Sequence, residues 1–191
     1  MQRYSRVKEV ILKKLKDELL PYFYYHSYHH TVDMHDSAQR IAEFENIDDH
    51  EKEVVLIAAL FHDAGFIIDQ ENHEIHSCTI AREMLPDFDY KRNEIDQICD
   101  LIMATCMPVN PQNHLQEIIC DADLDYLGRN DFKEIGDLLF KELYERSAVK
   151  DLDEWNQMQI RFLTNHRYFT SFGQTNREAK KQANLKALLG E

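Results

Sequence analysis

Apolar positions recur along this chain at helical spacing. Val7, Ile11, Leu15 and Leu19 fall every four residues, which predicts an amphipathic first helix that stops at Pro21. A second helix is expected from about Thr31 to Phe44. A third reads EKEVVLIAALFHDAG, with Asp48 or Asp49 as its cap and Gly65 as its stop. Its centre, Val54 to Phe61, is an unbroken apolar run, so this helix is expected to be buried on all sides. Further helical patterns run over about 72–85, 91–106, 113–126, 131–146, 152–165 and 176–189, joined by short links such as PDFDYKR and MPVNPQN. No window longer than a few residues alternates at strand period, and only five glycines and four prolines interrupt the chain. The pattern predicts an all-α fold.

At 191 residues, 43% hydrophobic and 30% charged, the chain is expected to fold as one domain with a core large enough to need no staple. The formal charge of −13 argues against long nucleic acids and anionic membranes as partners, because affinity for both comes from Lys and Arg clusters. A small anion remains compatible, since a metal ion or two basic side chains reverse the local field. Cys78, Cys99, Cys106 and Cys120 form no C-x-x-C pair and read as buried free thiols of a reducing compartment. The leading MQRYSRVKEVILKKLKDELL is too often interrupted by charge for a signal-peptide core, and no stretch approaches the roughly 20 apolar residues of a membrane span. A cytoplasmic location is the expectation.

Eight of the ten histidines fall between His26 and His76, a density that packing alone strains to explain. One feature is His62-Asp63, at the end of the all-apolar helix. An ionised Asp there costs several kcal/mol unless it is paired or bound to a cation; the bland alternative is a helix-end Asp that reaches solvent beside a packed His. A second feature is ICDADLDYLG, residues 119–128. On a helix Asp121, Asp123 and Asp125 cannot share one face, so at most one or two meet a common site while the rest cap, pair or reach water. Together the pieces suit a metal: imidazole and carboxylate ligands fit Mn, Fe, Co, Ni or Zn, and the lack of a cysteine ligand argues against a closed structural zinc.

In order and spacing, YHSYHHTVDM, IAALFHDAGF, NHEIHSCTIAREML and IICDADLDYLG resemble the HD-domain superfamily of metal-dependent phosphohydrolases. The resemblance covers about residues 22–130 and implies a single HD domain over 1–191, with about 131–191 as a C-terminal helical extension like that of small bacterial HD proteins. It implies one divalent ion, held by His30, His62, Asp63 and Asp123. His73 and Glu74 match a pair that supplies a second metal ligand or a catalytic group in some HD families, so Asp63, His73 and Glu74 are the candidates for proton transfer. The adjacent His-His pair of dinuclear members has no counterpart here, only His114 and His166 following Cys99, so one metal is expected.

Other residues carry weaker expectations. His26, four residues before His30 on the same helical face, is a candidate for lining the substrate pocket, with packing as the alternative. Arg129 and Lys133 are candidates for binding an anionic ester at the mouth of the site, Arg40 a weaker one, each with a solvated surface role as the alternative. His29 and His35 read as structural or exposed. His166, Arg167 and Tyr168 either pack the tail or close over the pocket, and Trp155 and Phe162 read as core residues of one helix. The function implied is metal-dependent hydrolysis of a small phosphomonoester or phosphodiester, nucleotides among the candidates. A dinuclear iron oxygenase and a metal-stabilised binding or signalling module are the alternatives. A homodimer is the default assembly on general frequency.

Overall fold

Val7, Ile11 and Leu15 form the buried stripe of α1 (Gln2–Glu18), which ends three residues before Pro21 as the sequence pattern requires. The computed structural model describes residues 2–191, and among them it contains helices and turns but no strand. The next helices are α2 (Tyr28–Phe44), α3 (Asp49–Phe61), α4 (His73–Met84), α5 (Arg92–Ala104) and α6 (His114–Asp123), followed by α7 (Phe132–Glu145), α8 (Leu152–Asn165), the short α9 (Ser171–Asn176) and α10 (Glu178–Leu189). No described helix is long and apolar enough to cross a membrane.

The third helix is the axis of the fold. Asp48 caps it, accepting from the backbone N–H of Glu51 at 2.8 Å, while the Glu51 carboxylate accepts from the N–H of Asp48 at 3.2 Å. Every residue from Val54 to Phe61 is buried, as the apolar run demands, against α1, α2, α5 and α6. Burial of each larger apolar side chain is worth about 1.5–3 kcal/mol, which is ample to fix the direction in which the end of α3 points.

Local boundaries depart from the sequence reading in ways that matter for the site. The second helix begins at Tyr28 rather than after Thr31, so His29 and His30 lie in its first turn. The third ends at Phe61, not at Gly65; His62 is its C-cap, and Ala64–Ile67 form a separate 3-10 turn. That turn is pressed against the start of α4. Ser77 donates to the carbonyl of His62 at 2.6 Å and accepts from the N–H of Gly65 at 2.8 Å. A Cβ on Gly65 would lie 1.9 Å from the carbonyl oxygen of His73, so glycine is needed there for close approach rather than to stop a helix.

The acidic segment also breaks. The helix expected over 113–126 is α6 followed by a 3-10 turn, Asp125–Gly128. The helix expected over 176–189 is preceded by α9, and the chain bends at Arg177, whose guanidinium is drawn to buried Asp125 with Nε 2.7 Å from the carboxylate.

Two apolar clusters result. The larger gathers α1 to α6. The smaller holds Tyr25, Leu124, Tyr126, Leu127, Phe132 and Leu163, with flanking residues of α7, α8 and α10. Asp123 falls between Ala122 of the first and Leu124 of the second. Three cysteines are buried, but Cys106 is exposed at the end of α5, where the helix has already given way to a turn.

Candidate metal centre

Three separate elements bring their polar side chains to this junction between clusters. His30 comes from the first turn of α2, His62 and Asp63 from the end of α3, and Asp123 from the end of α6. His30 Nε2 lies 3.2 Å from His62 Nε2, 3.2 Å from Asp123 Oδ1 and 3.5 Å from Asp63 Oδ2. His62 Nε2 is 3.1 Å from Asp63 Oδ2 and 3.6 Å from Asp123 Oδ1. His30, His62 and Asp123 form a mutually close set, and Asp63 joins it through both imidazoles.

These separations suit a shared cation. Ligand bonds of about 2.0–2.2 Å place neighbouring donor atoms roughly 3.0–3.5 Å apart around one ion. Asp63 Oδ2 is the one buried side-chain oxygen or nitrogen among the described residues that no protein group hydrogen-bonds. A buried carboxylate oxygen without a donor is costly, and a divalent ion among these four side chains satisfies it. The residues therefore fit the group.

The supporting contacts fix these side chains further. His62 Nδ1 donates to the carbonyl of Ala59 at 3.0 Å, so its Nε2 lone pair faces the cluster. His30 stacks on buried Tyr25 with ring centroids 4.5 Å apart. Burial alone would lower the His62 pKa, but Asp63 and Asp123 outweigh it and raise it to about 9 when no cation is bound. Burial likewise opposes ionisation of Asp63, yet His62 and then His73 hold it well below the ordinary carboxylate range.

His73 and Glu74 stand beside this cluster. His73 Nδ1 donates to the carbonyl of Gln70 at 3.2 Å, and its Nε2 lies 3.4 Å from both Asp63 Oδ1 and Glu74 Oε1. Burial opposes the charged imidazole, but the two carboxylates prevail and raise its pKa. Asp63 thus turns one oxygen to His30 and His62 and the other to His73.

His26 lines the same cavity, stacked on Phe66 at 4.3 Å. Its Nδ1 is 2.5 Å from Oε1 of Glu142, a fully buried acid on α7. The other oxygen of Glu142 accepts the backbone N–H groups of Tyr25 and His26 at 2.9 and 3.1 Å. Burial disfavours the Glu142 carboxylate, but His26 and these N–H donors lower its pKa all the same. The sequence reading missed Glu142. A signal existed: it continues the apolar stripe of Ile135 and Leu139 on α7, so an acid at that position is buried and must have a partner.

The cations expected at the mouth lie elsewhere. Arg129 makes a two-pronged pair with Asp33, both contacts at 2.8 Å, and also reaches Asp131. Lys133 is exposed and pairs with Asp137 one turn along its own helix. Arg40 reaches Ser37 and Asp125. Local acids claim all three, and none lines the cavity. The three acids of the 119–128 segment divide as their spacing requires: Asp123 faces the cluster, Asp121 accepts from Phe169 and Thr170, and Asp125 gathers Arg40, Arg129 and Arg177.

Of the remaining histidines, His29 is exposed and His35 is buried against Tyr4, Lys8 and Asp36. Tyr168 is buried and donates to the carbonyl of Leu124 at 3.2 Å, which packs the tail rather than covering the cluster. Burial and the neighbouring Lys181 lower the pKa of His166 to about 4. Trp155 and Phe162 share a face of α8 as expected, but that face forms part of the cavity wall. The cavity is about 280 Å³ in volume and is lined by His30, Asp63 and Asp123 of the cluster. A family model described as HD domain matches residues 27–125. No curated protein and no solved structure matches the chain.

Proposed function

This chain belongs to the HD-domain family, generally metal-dependent phosphohydrolases, and on that premise we propose that it hydrolyses a small phosphate ester. The observation that carries the reading is the convergence of His30, His62, Asp63 and Asp123 beside a cavity, with Asp63 Oδ2 buried and in no hydrogen bond. A divalent ion held there supplies an acidified water and positive charge for the phosphoryl oxygens.

The chain's own groups supply the proton transfers. Glu142 engages Nδ1 of His26, so the Nε2 proton of His26 is the one available to the leaving oxygen. The carboxylate fixes the orientation of the ring, as a carboxylate does for any positioned imidazole acid. Glu74, beside His73 on the other side of Asp63, is placed to take the proton that water loses as it attacks. Tyr25 stacks on the ring of His30 and Phe66 on the ring of His26, which holds both imidazoles in place.

The test is to strip the metal, reload with Mn, Fe, Co, Ni or Zn, and assay phosphomonoesters and phosphodiesters. Hydrolysis that disappears in both His62→Ala and Asp63→Ala supports the proposal. Absence of turnover with every metal and ester defeats it. Metal content near one per chain separates this reading from a dinuclear iron oxygenase, which needs two.

A further inference from the structure

Resting on the hydrolase reading, we infer that the substrate carries a single phosphate on a small apolar or aromatic body, which is held against a wall built by α7 and α8. The cavity lining is of two unlike kinds. Its polar part is His30, Asp63 and Asp123 with His26, His73 and Glu74. Much of the rest is apolar, with Leu139 and Leu143 from α7 and Trp155, Met158 and Phe162 from α8.

Charge narrows the choice further. Among the described residues no lysine or arginine lines this cavity. The two positive charges of a divalent ion are formally offset by Asp63 and Asp123, and Glu74 adds another carboxylate. One phosphate can be met by the ion and the histidines. A di- or triphosphate would bring further negative charge into a place with no cation to meet it, at a large desolvation cost. Arg161 and Arg167 line a more open cleft that shares Met107, Leu124, Met158 and Phe162 with the cavity but none of the His and Asp cluster.

Volume sets the size of the body. An apolar cavity of about 150 Å³ accepts one benzene. The 280 Å³ here therefore has room for one phosphate and one ring or short alkyl chain. The specificity wall belongs to the C-terminal helices, outside the residues matched by the family model.

Phosphonates test this without turnover, and Trp155, the sole tryptophan, reports on the wall. Methylphosphonate, phenylphosphonate and 4-phosphonobenzoate are titrated into the metal-loaded full chain, by calorimetry and Trp155 fluorescence. Phenylphosphonate is expected to bind at least tenfold tighter than methylphosphonate. A carboxylate on the far edge of the ring is expected to cost at least tenfold. Met158→Lys, half-buried in the wall, should invert the order of the two aryl ligands, and Leu139→Glu should weaken phenylphosphonate more than methylphosphonate at unchanged metal content. Circular dichroism verifies that each variant is folded. A phenyl-to-methyl ratio below tenfold, or tighter binding of the carboxylated ring by the wild type, overturns the inference. The two claims fail separately: ring selectivity without hydrolysis of any ester removes only the hydrolase reading, and hydrolysis without ring selectivity removes only the apolar wall.

Discussion

Glu142 Oε1 and His26 Nδ1 lie 2.5 Å apart, although 116 positions of sequence separate them. The acid is fully buried and the histidine opens into the cavity, so the pair ties the C-terminal extension to the site. Glu142→Gln keeps an oxygen for the two backbone N–H groups but replaces the carboxylate that accepts from His26 Nδ1 with a neutral amide. Turnover is expected to fall by roughly 10²-fold, within the range of general acid catalysis, at unchanged metal content. The loss should shrink for esters with good leaving groups, which need no proton; an equal loss across leaving groups would make Glu142 a packing residue.

His30 and His29 are adjacent in sequence and opposite in environment. His30→Ala is expected to abolish stoichiometric metal binding, and His29→Ala to leave it intact, as read by metal analysis after dialysis. The same assay separates the acids of α6 and its following turn: Asp123→Ala loses metal.

Asp125→Ala has a different expected outcome. It leaves Arg177 without its carboxylate, while Arg129 keeps Asp33 and Asp131, and breaking a buried ion pair by removing one partner costs about 3–5 kcal/mol. Urea unfolding of the metal-free protein should show that loss, while the metal ligands themselves are untouched.

Metal binding and pH are linked through His62. Without a cation its pKa is raised to about 9, so at pH 7 the ring carries a proton that an ion must displace. Calorimetry in buffers of different ionisation enthalpy should register about one proton released per ion. Affinity should rise with pH up to about 9. The metal-free protein should behave in the opposite sense. A raised histidine pKa contributes stability that is complete below the unfolded value near 6.5 and is lost as pH rises through 9. Thermal melts across that window should fall without metal and not with it.

Gly65→Ala is expected to destabilise by about 1–3 kcal/mol or more, because the new methyl group meets backbone atoms of His73 and Ser77 that cannot rotate away. The start of α4 must shift, carrying His73 from Asp63. Chemical denaturation measures the first effect and the pH dependence of turnover the second.

The all-helical fold was legible because its signals are local. Spacing in α1, the apolar run of α3 and the Asp48 cap each act within a few residues. His30, His62, Asp63 and Asp123 could be named through their motifs, but their approach depends on the packing of α2, α3 and α6. The fates of Arg129 and Lys133 depended on acids that happen to lie nearer than the cavity does. Glu142 was out of reach by motif because its partner is set by how α7 docks, which no short stretch of sequence records. The cavity wall was missed for a related reason: an apolar helix face predicts burial but does not say against what.

Asp121 and Asp125 flank Asp123 by two residues on either side, and both are gripped by the end of the chain, one through Phe169 and Thr170 and the other through Arg177. The last ligand is therefore suspended between two knots that the C-terminus ties. By thermodynamic reciprocity, whatever the docked tail adds to the hold on the ion, the ion returns to the tail. Protease susceptibility of the C-terminal sixty or so residues then becomes a gauge of ion occupancy, and a cut there should empty a site whose ligands are all intact.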